Sequence, residues 1–172
     1  MRLGITLLRA LIGALFMGHG LQKLAGWFGG HGLKATAEFF ESGMGMRPGI
    51  AHAGAAGVAE TAGGAMLMTG VATPAAAAML TGTMTTAVDK VHWSKGVWNQ
   101  DGGFEYNVVL VAAIFAITEQ DEGTAWAIAA LAAGVAGGLA VSRLAQMLPA
   151  PQESSGRFTR QEEPVPTGST AG

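Results

Sequence analysis

Glu60 sits near the middle of Ile50–Ala72, a stretch otherwise without charge apart from a histidine near its start. In hydrocarbon a carboxylate at that depth costs about 3 kcal/mol on insertion scales, so it should face other helices and meet a partner there. His19 and Lys23 are spaced four apart, which puts them on one helix face. Asp89, Lys90 and His92 close a third apolar stretch, and Glu105, Tyr106 and Asn107 open a fourth. Acids, imidazoles and an amine gathered inside an apolar bundle can hold the polar head of a ligand or relay protons. The competing reading is structural: opposite charges pair and fix helix register. On that reading Lys90 and Lys95 sit among headgroups, and Asp89 and Lys23 are interfacial. Depth favours ligand contact for Glu60, with His19 and Glu105 next. Arg9 stands nearly alone in the other half of the chain's apolar layer.

Composition removes several chemistries. The chain has 172 residues and no cysteine, which excludes disulfides, thiol redox chemistry and Cys-ligated zinc or iron–sulfur clusters. Any electron chemistry must come from a bound cofactor or a partner. A net charge of −2 without a dense basic run gives no footprint for nucleic acid. His31, His52 and His92 lack paired zinc-ligand spacing, so no metal is expected. Haem between His19 and His92 is chemically reasonable, but His92 lies among polar residues at a helix end and nothing else signals haem. Nucleophile–base triads and phosphate-binding glycine loops are absent.

Five apolar segments must position these groups: Leu3–Leu24, Ile50–Ala72, Ala75–Val88 extended through Val91, Gly103–Thr118, and Thr124–Met147. Their lengths approach the ~20 residues needed to span a bilayer. A soluble helical bundle would need polar faces at helical period, and Ala51–Met68 and Ala125–Val141 offer almost none. Mean hydropathy is a modest +0.34, an average that hides apolar runs because the polar residues are unevenly placed. Gly57 with Gly64, and Gly63 with Gly70, recur two turns apart and suit close helix seams, as does the Gly134/Gly138 pair. Arg9 and the poor cleavage region Gly18–Lys23 argue for a retained first helix rather than a signal peptide.

Alternating crossings bring the long connections Ala25–Gly49 and Val91–Gly103 to one side, with a short surface helix expected at Leu33–Ser42. Trp27, Trp93 and Trp98 fit an interfacial aromatic belt. That side carries Lys23, Lys34, Arg47, Lys90 and Lys95, and with five crossings also Arg143, Arg157 and Arg160, so it should be cytoplasmic. The expected fold is all-α: an integral membrane helical bundle across residues 1–148, with a four-helix core and a fifth C-terminal helix. A disordered polar tail should follow at 149–172.

Arg9-x-x-x-Gly13-x-x-Phe16-x-x-His19-Gly20-x-x-Lys23-x-x-Gly26, then Glu60-x-x-Gly63-Gly64 with Gly70, then Gly102-Gly103-x-Glu105-Tyr106 resemble the DoxX family of small membrane proteins. The resemblance covers about Leu3–Thr118 and implies a compact four-helix membrane core. Its motif residues here are Arg9, His19, Lys23, Glu60 and Glu105. The family name is tied to the membrane subunit of a thiosulfate:quinone oxidoreductase, which implies quinone-linked electron transfer. On that implication Lys23 or His19 would hydrogen-bond a quinone oxygen and Glu60 or Glu105 would exchange protons. Trp27 or Trp93 would pack on the ring, His92 and Tyr106 would stand nearby, and a soluble redox partner would supply electrons. The alternative is a non-catalytic anchor or scaffold for soluble enzymes. A solute or proton pathway ranks last, because polar residues do not continue past Arg9.

Overall fold

The computed structural model describes residues 3–149, and all of their regular structure is helical. In chain order the helices are α1 Leu3–Ala25, α2 Gly32–Glu38, α3 Gly49–Thr69, α4 Thr73–Ala87, α5 Glu105–Glu122 and α6 Thr124–Met147. The expected polar tail, Arg2, Arg157 and Arg160 fall outside the described residues, save Pro149 itself.

Three expectations are corrected by local backbone chemistry. First, among the described residues the α-helices number six, the expected short surface helix forming α2 at Gly32–Glu38 with no buried residue of its own. A wider helical turn carries it on to Gly43, where Phe40 is buried with Met44 and Met46 against Ala53 and Ala145. Second, α3 stops at Thr69 rather than Ala72. Gly70 adopts φ 76°, open to glycine at no steric cost, and its amide donates to the Met66 carbonyl at 2.9 Å, closing the last turn. Third, α5 passes Thr118 and continues to Glu122, so the acidic stretch is helical and Gly123 alone separates α5 from α6.

Small residues set the packing. A Cβ on Gly13 would lie 2.6 Å from the Gly64 carbonyl oxygen, and one on Gly20 would lie 2.6 Å from that of Gly57. The reversed order makes α1 and α3 antiparallel, with backbones in direct contact. Gly134 and Gly138 of α6 meet the carbonyls of Ala78 and Gly82 at 2.7 and 2.6 Å on the same construction, so α4 and α6 run parallel. Between the seams lies a core of Ile12, Phe16, Leu67, Leu80, Ile114 and Ile117. Outward faces are apolar too: Leu3, Leu7, Leu11 and Leu15 form an exposed stripe on α1, and Ile128, Val135, Leu139 and Leu144 are exposed on α6. Among the described residues, α1 and α6 are the two helices long and apolar enough, by length and composition, to cross a membrane.

Both long connections and the C-terminal end of α6 meet at one end of the bundle, called here the loop end. The Arg47 amide donates to the Ala145 carbonyl at 3.1 Å, and Arg143 reaches Asp89 at 3.5 Å. The α3–α4 and α5–α6 connections lie at the opposite, turn end.

Gly64→Ala should destabilise the fold by about 1–3 kcal/mol, as over-packing does. Gly137→Ala should be neutral or stabilise by up to about 1 kcal/mol, because a Cβ there meets nothing within 4 Å. Thermal unfolding of the two purified variants in one detergent checks this, and equal midpoints would contradict the seam.

Candidate functional site

The α1–α3 seam places the central ion pair. Lys23 follows Gly20 by three residues and Glu60 follows Gly57 by three, so both stand beside the closest backbone approach. Side chains on a helix lean toward its N-terminus. In antiparallel helices these two therefore lean toward each other, Lys23 inward and Glu60 toward the loop end. Lys23 Nζ lies 2.5 Å from Glu60 Oε2, and the Glu60 side chain is 6% exposed against 26% for Lys23. The same ammonium is 3.5 Å from the His19 carbonyl.

This pair forms part of the wall of a half-open cavity of about 550 Å³ lined by segments of α1, α3, α4, α5 and α6, with the widened turn after α2 at the loop end. Phe40, Met79, Met84, Leu110 and Val141 supply much of its apolar surface, and His19, Lys23, His52, Glu60, His92, Tyr106 and Asn107 its polar groups. Two stretches of the wall, Phe39–Gly43 and Val88–His92, are turns widened to i→i+5 bonding, which swings their side chains off the regular helical register.

Hydrogen bonds hold the three imidazoles. His92 Nδ1 donates to the Gly102 carbonyl at 2.6 Å, across a tight turn in which Gly103 leaves no space for a Cβ: it would stand 2.3 Å from the Gly96 oxygen. His52 Nε2 donates to the Arg47 carbonyl at 3.1 Å. His19 Nδ1 is 3.0 Å from Gln22 Oε1, and the Gln22 amide nitrogen donates to the Phe28 carbonyl at 3.2 Å.

The structure brings together His19, Lys23, Glu60, His92 and Tyr106 of the residues expected at the site. Four others stand apart. Glu105 does not line the cavity, because α5 begins at that residue and its carboxylate sits at the helix N-terminus, where an acid is favoured. Trp93 stacks on Phe104, centroids 5.5 Å apart, and is largely exposed. Trp27 meets Phe28 edge-on in an exposed turn. Arg9 lies at the turn end and is not alone there. Its guanidinium contacts both oxygens of Asp121 and donates to the Leu67 carbonyl at 3.0 Å, while the Thr73 hydroxyl donates to Asp121 at 2.9 Å. That clamp ties α1, α3, α4 and α5 together.

His52 escaped the sequence argument as a site candidate; it precedes Glu60 by eight residues, two turns on one face, a spacing that was available as a signal. Asn107, expected with Glu105 and Tyr106 at the start of the fourth segment, lines the cavity and is buried, with its amide 3.4 Å from the Met84 sulfur. Among the described residues, no cluster of three or more His, Asp or Glu is arranged to hold a metal ion.

Compared with known families, residues 4–93, more than half of the chain, match the family model described as DoxX. The matched stretch carries Arg9, His19, Lys23, His52, Glu60 and His92, and it ends before α5 and α6. Neither a curated protein nor a solved structure matches the chain.

Asp121→Asn should cost about 3 kcal/mol, the low end for breaking a buried pair, because it leaves the Arg9 guanidinium without its counter-charge. Replacing both residues with apolar ones of similar size should restore most of the loss. A double-mutant cycle by chemical unfolding measures the coupling; additive effects would mean that the clamp carries none.

Proposed function

The chain belongs to the DoxX family, and from that membership and its cavity we propose an integral membrane protein that binds the head group of a lipid-soluble quinone. The observation carrying this reading is the Lys23–Glu60 pair in the wall of a mainly apolar cavity. Membrane placement draws support from the exposed leucine stripe of α1, the apolar α6 and the small-residue seams. The loop end carries Lys34, Arg47, Lys90, Lys95 and Arg143 and would face the cytoplasm.

In this reading Lys23 has a donor to spare beyond its bond to Glu60 and offers it to a quinone oxygen. Glu60 is the proton carrier, and His19, one turn from Lys23, completes the polar end. Reduction of a quinone consumes two electrons and two protons. Electrons would come from a soluble partner at the loop end, since this chain has no covalent redox group, and protons from solvent at that end, relayed through the Glu60 carboxylate and the cavity imidazoles. Ring packing falls to cavity residues such as Phe40 and Met84 rather than to Trp27 or Trp93.

A second reading, an anchor for soluble enzymes, is favoured by one observation. Both long connections, α2 and the end of α6 gather at one end, where Trp93 and Trp98 are exposed. A stoichiometric soluble partner retained by Glu60→Gln but lost on altering the 26–48 connection would select it.

Glu60→Gln should abolish quinone-dependent activity with membrane abundance unchanged. Quinone-reduction assays on membranes, read beside immunoblots of the same membranes, measure both. Wild-type turnover in the variant would remove the proposed role.

A further inference from the structure

The three imidazoles of the cavity wall are locked in one sense. A backbone carbonyl only accepts, so the nitrogens facing Gly102 and Arg47 must carry the protons: His92 Nδ1 and His52 Nε2. For His19 the partner is a side-chain amide, whose nitrogen is already committed to the Phe28 carbonyl. Its oxygen therefore faces His19, and Nδ1 is again the donor. In each neutral ring the remaining nitrogen, Nε2 of His19 and His92 and Nδ1 of His52, is then an acceptor. Glu60 adds a carboxylate, which also accepts. Against these acceptors stand Lys23, one of whose protons is engaged with Glu60, the Asn107 amide, which faces the Met84 sulfur, and the Tyr106 hydroxyl, which can donate or accept.

A quinone brings only carbonyl acceptors on its ring, whereas a hydroquinone brings hydroxyl donors in the same places. Acceptors facing acceptors in an apolar cavity leave polar groups unpaired, while hydroxyls facing them are satisfied. We infer that the cavity reads the redox state of its ligand and holds the hydroquinone more tightly than the quinone, an inference that rests on the quinone-binding reading above. A tenfold preference would raise the potential of the bound two-electron couple by about 30 mV.

Size selection has a handle on the same wall. Gly137 of α6 lines the cavity, and a Cβ built there meets nothing within 4 Å, unlike its neighbours Gly134 and Gly138 in the α4 seam. Gly137→Leu therefore fills cavity space without opening the seam.

The test uses the full-length protein in detergent, under anaerobic conditions. Binding is measured by calorimetry for a short-chain benzoquinone, its hydroquinone and the dimethyl ether of that hydroquinone. The hydroquinone should bind at least tenfold tighter than the quinone, and the ether no tighter than the quinone. His52→Phe and His92→Phe, measured separately, should each narrow the hydroquinone-to-quinone ratio, and Gly137→Leu should weaken every ligand. Equal affinity for both redox forms, or an ether as tight as the hydroquinone, would overturn the inference while leaving a quinone cavity, provided Gly137→Leu still blocks it. No binding by any probe, or binding indifferent to Gly137→Leu, would take down the underlying reading as well.

Discussion

A carboxylate buried in an apolar helix must be met by a cation or the helix will not stay in its place, and the Lys23–Glu60 pair meets that requirement across the α1–α3 contact. Everything at the loop end depends on it. The pair needs two backbones close enough for a lysine to reach inward, which the Gly13, Gly20, Gly57 and Gly64 surfaces provide. It needs antiparallel helices, so that both side chains lean to a common point. It also needs space beside it, since a pair sealed on all sides would be structural only. That space is the cavity, with its lysine still partly accessible.

The Arg9 clamp shows what a purely structural pair looks like in the same bundle. Its guanidinium meets a carboxylate and a helix-end carbonyl, and the carboxylate accepts from Thr73 as well. No part of it lines the cavity. Partners arrive from four helices at the end where the connections are shortest, which holds that end closed. The loop end is built the opposite way, with long connections, two widened turns and imidazoles each tied by one nitrogen and free at the other. One end fixes the helices and the other keeps hydrogen-bonding capacity in reserve.

α6 lies beyond the family-matched stretch yet completes this arrangement. Its parallel seam with α4 brings Gly134, Gly137, Gly138 and Val141 to the cavity wall, and its end bonds the connection between α2 and α3. The wall of the cavity is thus partly made by a helix that the family model does not describe.

Long apolar segments, the glycine pairs two turns apart and the buried acid are properties of the chain read in order, because hydrocarbon periodicity and the cost of a charge in it need no partner to be stated. Helices α1, α3, α4, α5 and α6, and the meeting of His19, Lys23 and Glu60, could be anticipated on those grounds. Helix ends at Thr69 and Glu122 could not, since a left-handed glycine and a single-residue connection depend on how neighbours close. Nor could the separation of Glu105 from the cavity or the capture of Arg9 by Asp121. Those follow from which faces of the helices meet, and a face is chosen only when the seams lock. Residue order shows that a charge must be compensated; the three-dimensional packing selects which group compensates it.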